Sequence, residues 1–109
     1  MFDELPNSDL RPENVPGVDA PWPDIFMFAL TFDGYQALGG NGPCGELANR
    51  TQEYFRARGT LPTDLDLTGL RACLFFEQRR WHHFGDTPGP EARRYFGALL
   101  DAIRERVRR

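Results

Sequence analysis

A chain of 109 residues that is 40% hydrophobic and 27% charged, with a formal net charge of −3, has the size and balance of one globular domain. Its longest uninterrupted apolar run, Ile25 to Leu30, is six residues, against about 20 for a membrane-spanning helix. Met1–Glu4 is acidic and opens no long apolar stretch, so secretory-signal, membrane, disulfide-scaffold, collagen-like and coiled-coil classes are set aside and a cytoplasmic protein is expected.

Residues 1–22 read as an extended or partly disordered acidic arm, and 23–109 as a single helical bundle domain. Pro6, Pro12, Pro16, Pro21 and Pro23 block helix interiors and sheet ladders alike. Leu5, Leu10, Val15, Val18 and Trp22 recur along the same stretch, a spacing that predicts an arm pinned to the body at intervals.

Four helices are expected after it. The first runs from about Pro23 to Leu38, stopped by Gly39-Gly40 and broken near Asp33-Gly34. Its dense apolar content would also suit a buried strand, but no other segment offers a strand to pair with. The second runs from Pro43 to Arg58, with Gly59 at the left-handed cap and Cys44, Leu47, Ala48, Thr51, Tyr54 and Phe55 on one stripe. The third spans Asp66 or Thr68 to His83 and is closed by Gly85. The fourth starts after Thr87, with Pro88 or Pro90 in its first turn, and continues to Val107 with an apolar face that includes Tyr95, Phe96, Leu99, Leu100 and Ile103. Short connections make sequential helices antiparallel neighbours. The expected fold is all-α: a small antiparallel bundle of about four helices with a Pro-rich acidic N-terminal arm.

Every basic side chain is arginine, and the charges are split along the chain. Residues 1–70 hold eleven acids and four arginines, whereas 71–109 hold nine arginines and five acids. The split fits two halves of one fold that attract each other. A pI near 5.3 lacks the footprint of a dedicated nucleic-acid binder, even with Arg104, Arg106, Arg108 and Arg109 closing the chain.

The stretch Leu70–Gly85 carries the candidate chemistry. On a helical wheel, Leu67, Leu70, Cys73, Leu74, Phe76, Trp81 and Phe84 share one half, with Glu77 in its middle and Arg80 toward its margin. A carboxylate facing apolar neighbours needs a partner. A Glu77–Arg80 pair at i,i+3 supplies one, a cross-helix pair with Arg50 or Arg106 is the other structural option, and a general base in a cleft is the functional alternative. With an arginine as the partner, Glu77→Gln should destabilise by roughly 2–4 kcal/mol.

The polar half holds Arg71, Phe75, Gln78, Arg79, His82 and His83. An aromatic flanked by arginines at i−4 and i+4 marks a partner-binding face made of Arg71, Phe75, Arg79, His82 and His83, unless the arm and Trp22 cover Phe75. Adjacent histidines on a helix point about 100° apart, so His82 and His83 do not form a metal site, and no metal or other cofactor is expected. Gly39–Pro43 precedes a helix but lacks the register and lysine of a phosphate-binding loop. Cys44 and Cys73 make no C-x-x-C pair and read as reduced core thiols, a single bridge between them being the alternative. No catalytic residue is assigned. The expectation is a non-catalytic, all-helical interaction or regulatory module that binds a protein partner or itself as a homodimer. Two other readings stay open: a nucleic-acid accessory protein using the arginines, and a small hydrolytic or metal-dependent enzyme centred on Glu77.

Overall fold

The third helix lies at the centre because most of its sides are filled by other elements. The computed structural model describes residues 4–84 and 88–108, without the side chains of 82–84. It comprises α1 (Trp22–Ala29), α2 (Asn41–Arg58), α3 (Leu67–Phe84) and α4 (Pro90–Arg108), with no strand among the described residues. The bundle is all-α, with α3 packed against α1, α2 and α4. Gly85, Thr87 and the side chains of His82, His83 and Phe84 lie outside the described residues.

Helix α3 begins where the Asp66 carboxylate accepts the Gly69 N–H at 2.8 Å, satisfying one of the amides a helix start leaves unpaired. From Leu70 to Leu74 every residue is buried, and so are Glu77 and Gln78. This corrects the wheel, which assigned Arg71 and Gln78 to a polar half. A central helix buries side chains in several directions, so a two-face reading fails for it.

Helix α1 is half the expected length. The Thr31 hydroxyl donates to the Phe28 carbonyl at 2.6 Å, and the Thr31 carbonyl accepts both the Leu5 N–H at 2.8 Å and Arg71 Nη2 at 2.9 Å. With that carbonyl taken by the arm and by α3, the helix does not continue. Phe32 instead turns inward, 3% exposed, and a short 3₁₀ turn over Gln36–Leu38 replaces the second half of the expected helix. Gly39 and Gly40 (φ 90° and 104°) then reverse the chain in the left-handed region that side chains avoid.

The main core runs from Ile25 and Phe28 through Leu70 and Leu74 to Phe96 and Leu100. The arm belongs to it, with Leu10 and Val15 only 2% and 5% exposed. Between these anchors the arm is not uniformly extended but folds into two 3₁₀ turns, Asn7–Asp9 and Pro12–Asn14.

Arginines of α3 and α4 hold the arm by its backbone and by Asn7. Arg71 Nη1 donates to Asn7 Oδ1 at 2.8 Å. Arg93 Nη2 donates to the Ala20 carbonyl at 2.9 Å, and Arg104 Nη2 to the Val15 and Pro16 carbonyls at 3.0 and 2.6 Å. Among the described residues, no acid of the arm (Glu4, Asp9, Glu13 or Asp19) lies within ion-pair distance of an arginine. The basic half therefore grips the acidic half through carbonyls, where the guanidinium fork finds fixed acceptors.

Candidate functional site

The ends of three helices leave a cleft of about 710 Å³. The last turns of α2 supply Gln52, Phe55 and Arg56, the distal part of α3 supplies Glu77, Arg80 and Trp81, and the start of α4 supplies Pro90, Glu91, Ala92, Arg94 and Tyr95. Gly59 (φ 76°) closes α2 at the rim. The cleft is floored by aromatic rings, with Phe55 and Tyr95 tilted against each other at 5.2 Å between centroids.

Glu77 lies in this cleft and is 5% exposed. Its Oε2 accepts the Trp81 indole N–H at 3.3 Å, and its Oε1 stands 3.9 Å from Arg80 Nε. Arg80 also reaches Asn49 Oδ1 at 3.4 Å. The pair spans i,i+3 on one helix, and the arginine end is 41% exposed, so water shares in its solvation. That exposure corrects the cost expected for Glu77→Gln from the sequence, lowering it below roughly 2–4 kcal/mol.

Beneath Glu77 lies a layer of weakly polar groups. The Cys73 thiol is pushed up from 9.0 to about 11 by burial, the Thr51 and Tyr95 hydroxyls beside it opposing the shift. Burial, reinforced by the Cys73 thiol and the Glu77 carboxylate, holds the Tyr95 phenol far above its ordinary range. The Tyr95 hydroxyl is buried without a well-formed hydrogen bond. Cys44 and Cys73 are both free and buried, and burial raises Cys44 as well. At neutral pH the thiols and the phenol all stay protonated, and a protonated buried thiol is a poor nucleophile.

The residues expected to form one partner-binding face have separate fates. Arg71 is 2% exposed and its guanidinium is spent on Asn7 Oδ1 and on the Thr31 carbonyl and hydroxyl, the last at 3.1 Å. Burial lowers its pKa from 12.5, with Asp33 nearby opposing. Phe75 is half-buried, edge-on to Tyr35 at 5.6 Å and beside Phe32 and Phe76 at 6.1 and 5.5 Å. Its cover comes from the α1–α2 connection, while Trp22 packs instead on Phe96, at 5.0 Å. Tyr35, half-buried within this aromatic cluster, is pushed up to about 12, chiefly by desolvation and against the pull of Arg79. Arg79 itself is exposed. The side chains of His82 and His83 lie outside the described residues. No group of three or more His, Cys, Asp or Glu side chains among the described residues is placed to hold a metal ion.

Arg56, Arg94, Phe55 and Tyr95 had no signal as a site in the sequence. Phe55 and Tyr95 read as core positions, and Arg56 and Arg94 stand 38 residues apart on separate helices. No protein-family model, curated protein or solved structure matches the chain.

Proposed function

We propose that the chain is a small non-catalytic binding module, an interaction or regulatory domain, that receives its partner in the α2–α3–α4 cleft. The carrying observation is Glu77: this buried carboxylate of the cleft accepts the Trp81 indole N–H through Oε2, and its Oε1 stands 3.9 Å from the Arg80 guanidinium. A general base is aimed at a substrate proton, whereas this carboxylate faces two groups of its own helix. Here the carboxylate braces the Trp81 ring and the Arg80 stem that shape the cleft wall.

A nucleic-acid role is less well supported. Arg71, Arg93, Arg104 and Arg106 donate to the protein's own acceptors, so these four guanidiniums are spent within the fold and not offered to a phosphate backbone. The homodimer expected from the sequence has Val18 and Met27, 39% and 50% exposed, as the large apolar side chains open to a second copy. Isolated exposed apolar residues are ordinary on a monomer, so the reading commits to the cleft. A cytoplasmic setting belongs to the same reading and is supported by the two free thiols.

Glu77→Gln separates brace from base. As a brace, the exposed arginine end limits the loss to about 1–2 kcal/mol in urea unfolding. Turnover of chromogenic esters and phosphate monoesters should be the same in variant and wild type, at the uncatalysed rate. A stability gain on substitution, with wild-type turnover that the variant lacks, would establish Glu77 as catalytic.

A further inference from the structure

We infer that the cleft takes a small monoanionic carboxylate carrying an aromatic or branched apolar body, its carboxylate paired with Arg56 and Arg94. This rests on the reading of the cleft as the binding site and adds the chemical class of what it binds.

The three arginines among the described residues of the cleft are not equivalent. Arg80 is committed to Glu77 and Asn49. Arg56 and Arg94 have no hydrogen-bond or ion-pair partner among the described residues. Arg71, Arg93 and Arg104 are spent on carbonyls and on Asn7, whereas Arg56 and Arg94 both line one cleft with their forks uncommitted. A planar guanidinium binds a carboxylate through two parallel N–H bonds. The net charge of the lining sets the charge of the ligand. Among the described lining residues, three arginines stand against Glu77 and Glu91, a surplus of one positive charge, which matches a carboxylate and falls short of a phosphate monoester dianion. The first turn of α4, at the positive end of that helix's dipole, places Pro90, Glu91 and Ala92 on the same lining.

The rest of the cleft fixes the body of the ligand. Phe55, Trp81 and Tyr95 present ring surface, and Trp81 is held in place by its indole bond to Glu77. A volume of about 710 Å³ lies within the range of small-molecule sites, roughly 300–1,000 Å³. Water leaving the rings on binding supplies the affinity and the arginines supply the choice of head group.

The test uses the full chain and three probes: 4-phenylbutyrate, its neutral amide, and phenyl phosphate. Each is titrated while the Trp81 indole N–H is followed by two-dimensional NMR. The butyrate should move that signal saturably and bind about tenfold or more tightly than the amide, as expected for charge-assisted bonds. The double variant Arg56→Met/Arg94→Met should bind the butyrate no better than the amide while keeping the wild-type melting temperature. Arg56→Lys/Arg94→Lys keeps charge without the fork and should fall between; it also serves if the methionine variant fails to fold. Equal binding of acid and amide at Trp81 would overturn the carboxylate assignment and leave the binding cleft standing. Tighter binding of phenyl phosphate would overturn it in favour of a dianion. If no probe moves Trp81, the inference falls, and the cleft reading is then judged separately by where a chemically mixed panel binds.

Discussion

Arg71→Met is expected to lower stability by about 2–4 kcal/mol, from the loss of hydrogen bonds to a charged donor, and to loosen the arm. The guanidinium is 2% exposed and donates to three acceptors: Asn7 Oδ1 and the Thr31 carbonyl and hydroxyl. It therefore ties the arm, the end of α1 and the middle of α3 at one point. Methionine keeps the apolar stem but returns no donor, and the Thr31 carbonyl is left with the Leu5 N–H alone. Arg71→Lys should recover little, because one ammonium does not reproduce a fork with three fixed acceptors. Urea unfolding supplies the free energy, and amide exchange at Leu5 and Leu10 reports the arm. A variant within about 0.5 kcal/mol of wild type, the usual range for surface substitutions, would return Arg71 to the list of residues free to meet a partner.

Phe96→Ala should cost more, about 3–5 kcal/mol, the range for emptying a buried aromatic position. Phe96 is fully buried, and Trp22, where the arm passes into α1, meets it edge-on at 5.0 Å. Truncation removes the ring contact and leaves a cavity that several elements would have to move to fill. The measurement is again urea unfolding, with an unchanged m-value if the arm stays docked. A loss under about 1 kcal/mol would mean that this site collapses freely and that the core is centred elsewhere.

These two residues mark where the sequence could and could not be read. Phe96 lies on the strongly amphipathic α4, where Tyr95, Phe96, Leu99, Leu100 and Ile103 repeat at helical spacing, and all five are buried. Helical periodicity is a local property, so such a helix declares its inner face. Arg71 lies on α3, which is packed on several sides and offers no such contrast. Its charge suggested solvent, but a guanidinium supplied with three acceptors is kept inside. The short α1 was hidden for a related reason. The carbonyl of Thr31 is taken by Leu5 and Arg71, 26 and 40 residues away in the chain, and no window around Thr31 contains that information. Glu77 was legible as an inward-facing carboxylate with Arg80 at i,i+3, both being local features. The cleft above it was not, since Arg56, Trp81 and Arg94 meet only after three helices have packed.

The most direct test of the cleft as the recognition site is a two-dimensional ¹H–¹⁵N titration of the intact chain. The ligands would be a mixed panel of small anionic, cationic and neutral aromatic compounds. The account predicts that the compounds that bind shift the Trp81 indole signal and the backbone amides of Gln52, Ala92 and Tyr95, while the Phe75–Arg79 segment stays still. Shifts confined to Phe75 and Arg79, or to the groove beside the arm lined by Leu5, Val15, Met27 and Phe28, would contradict it.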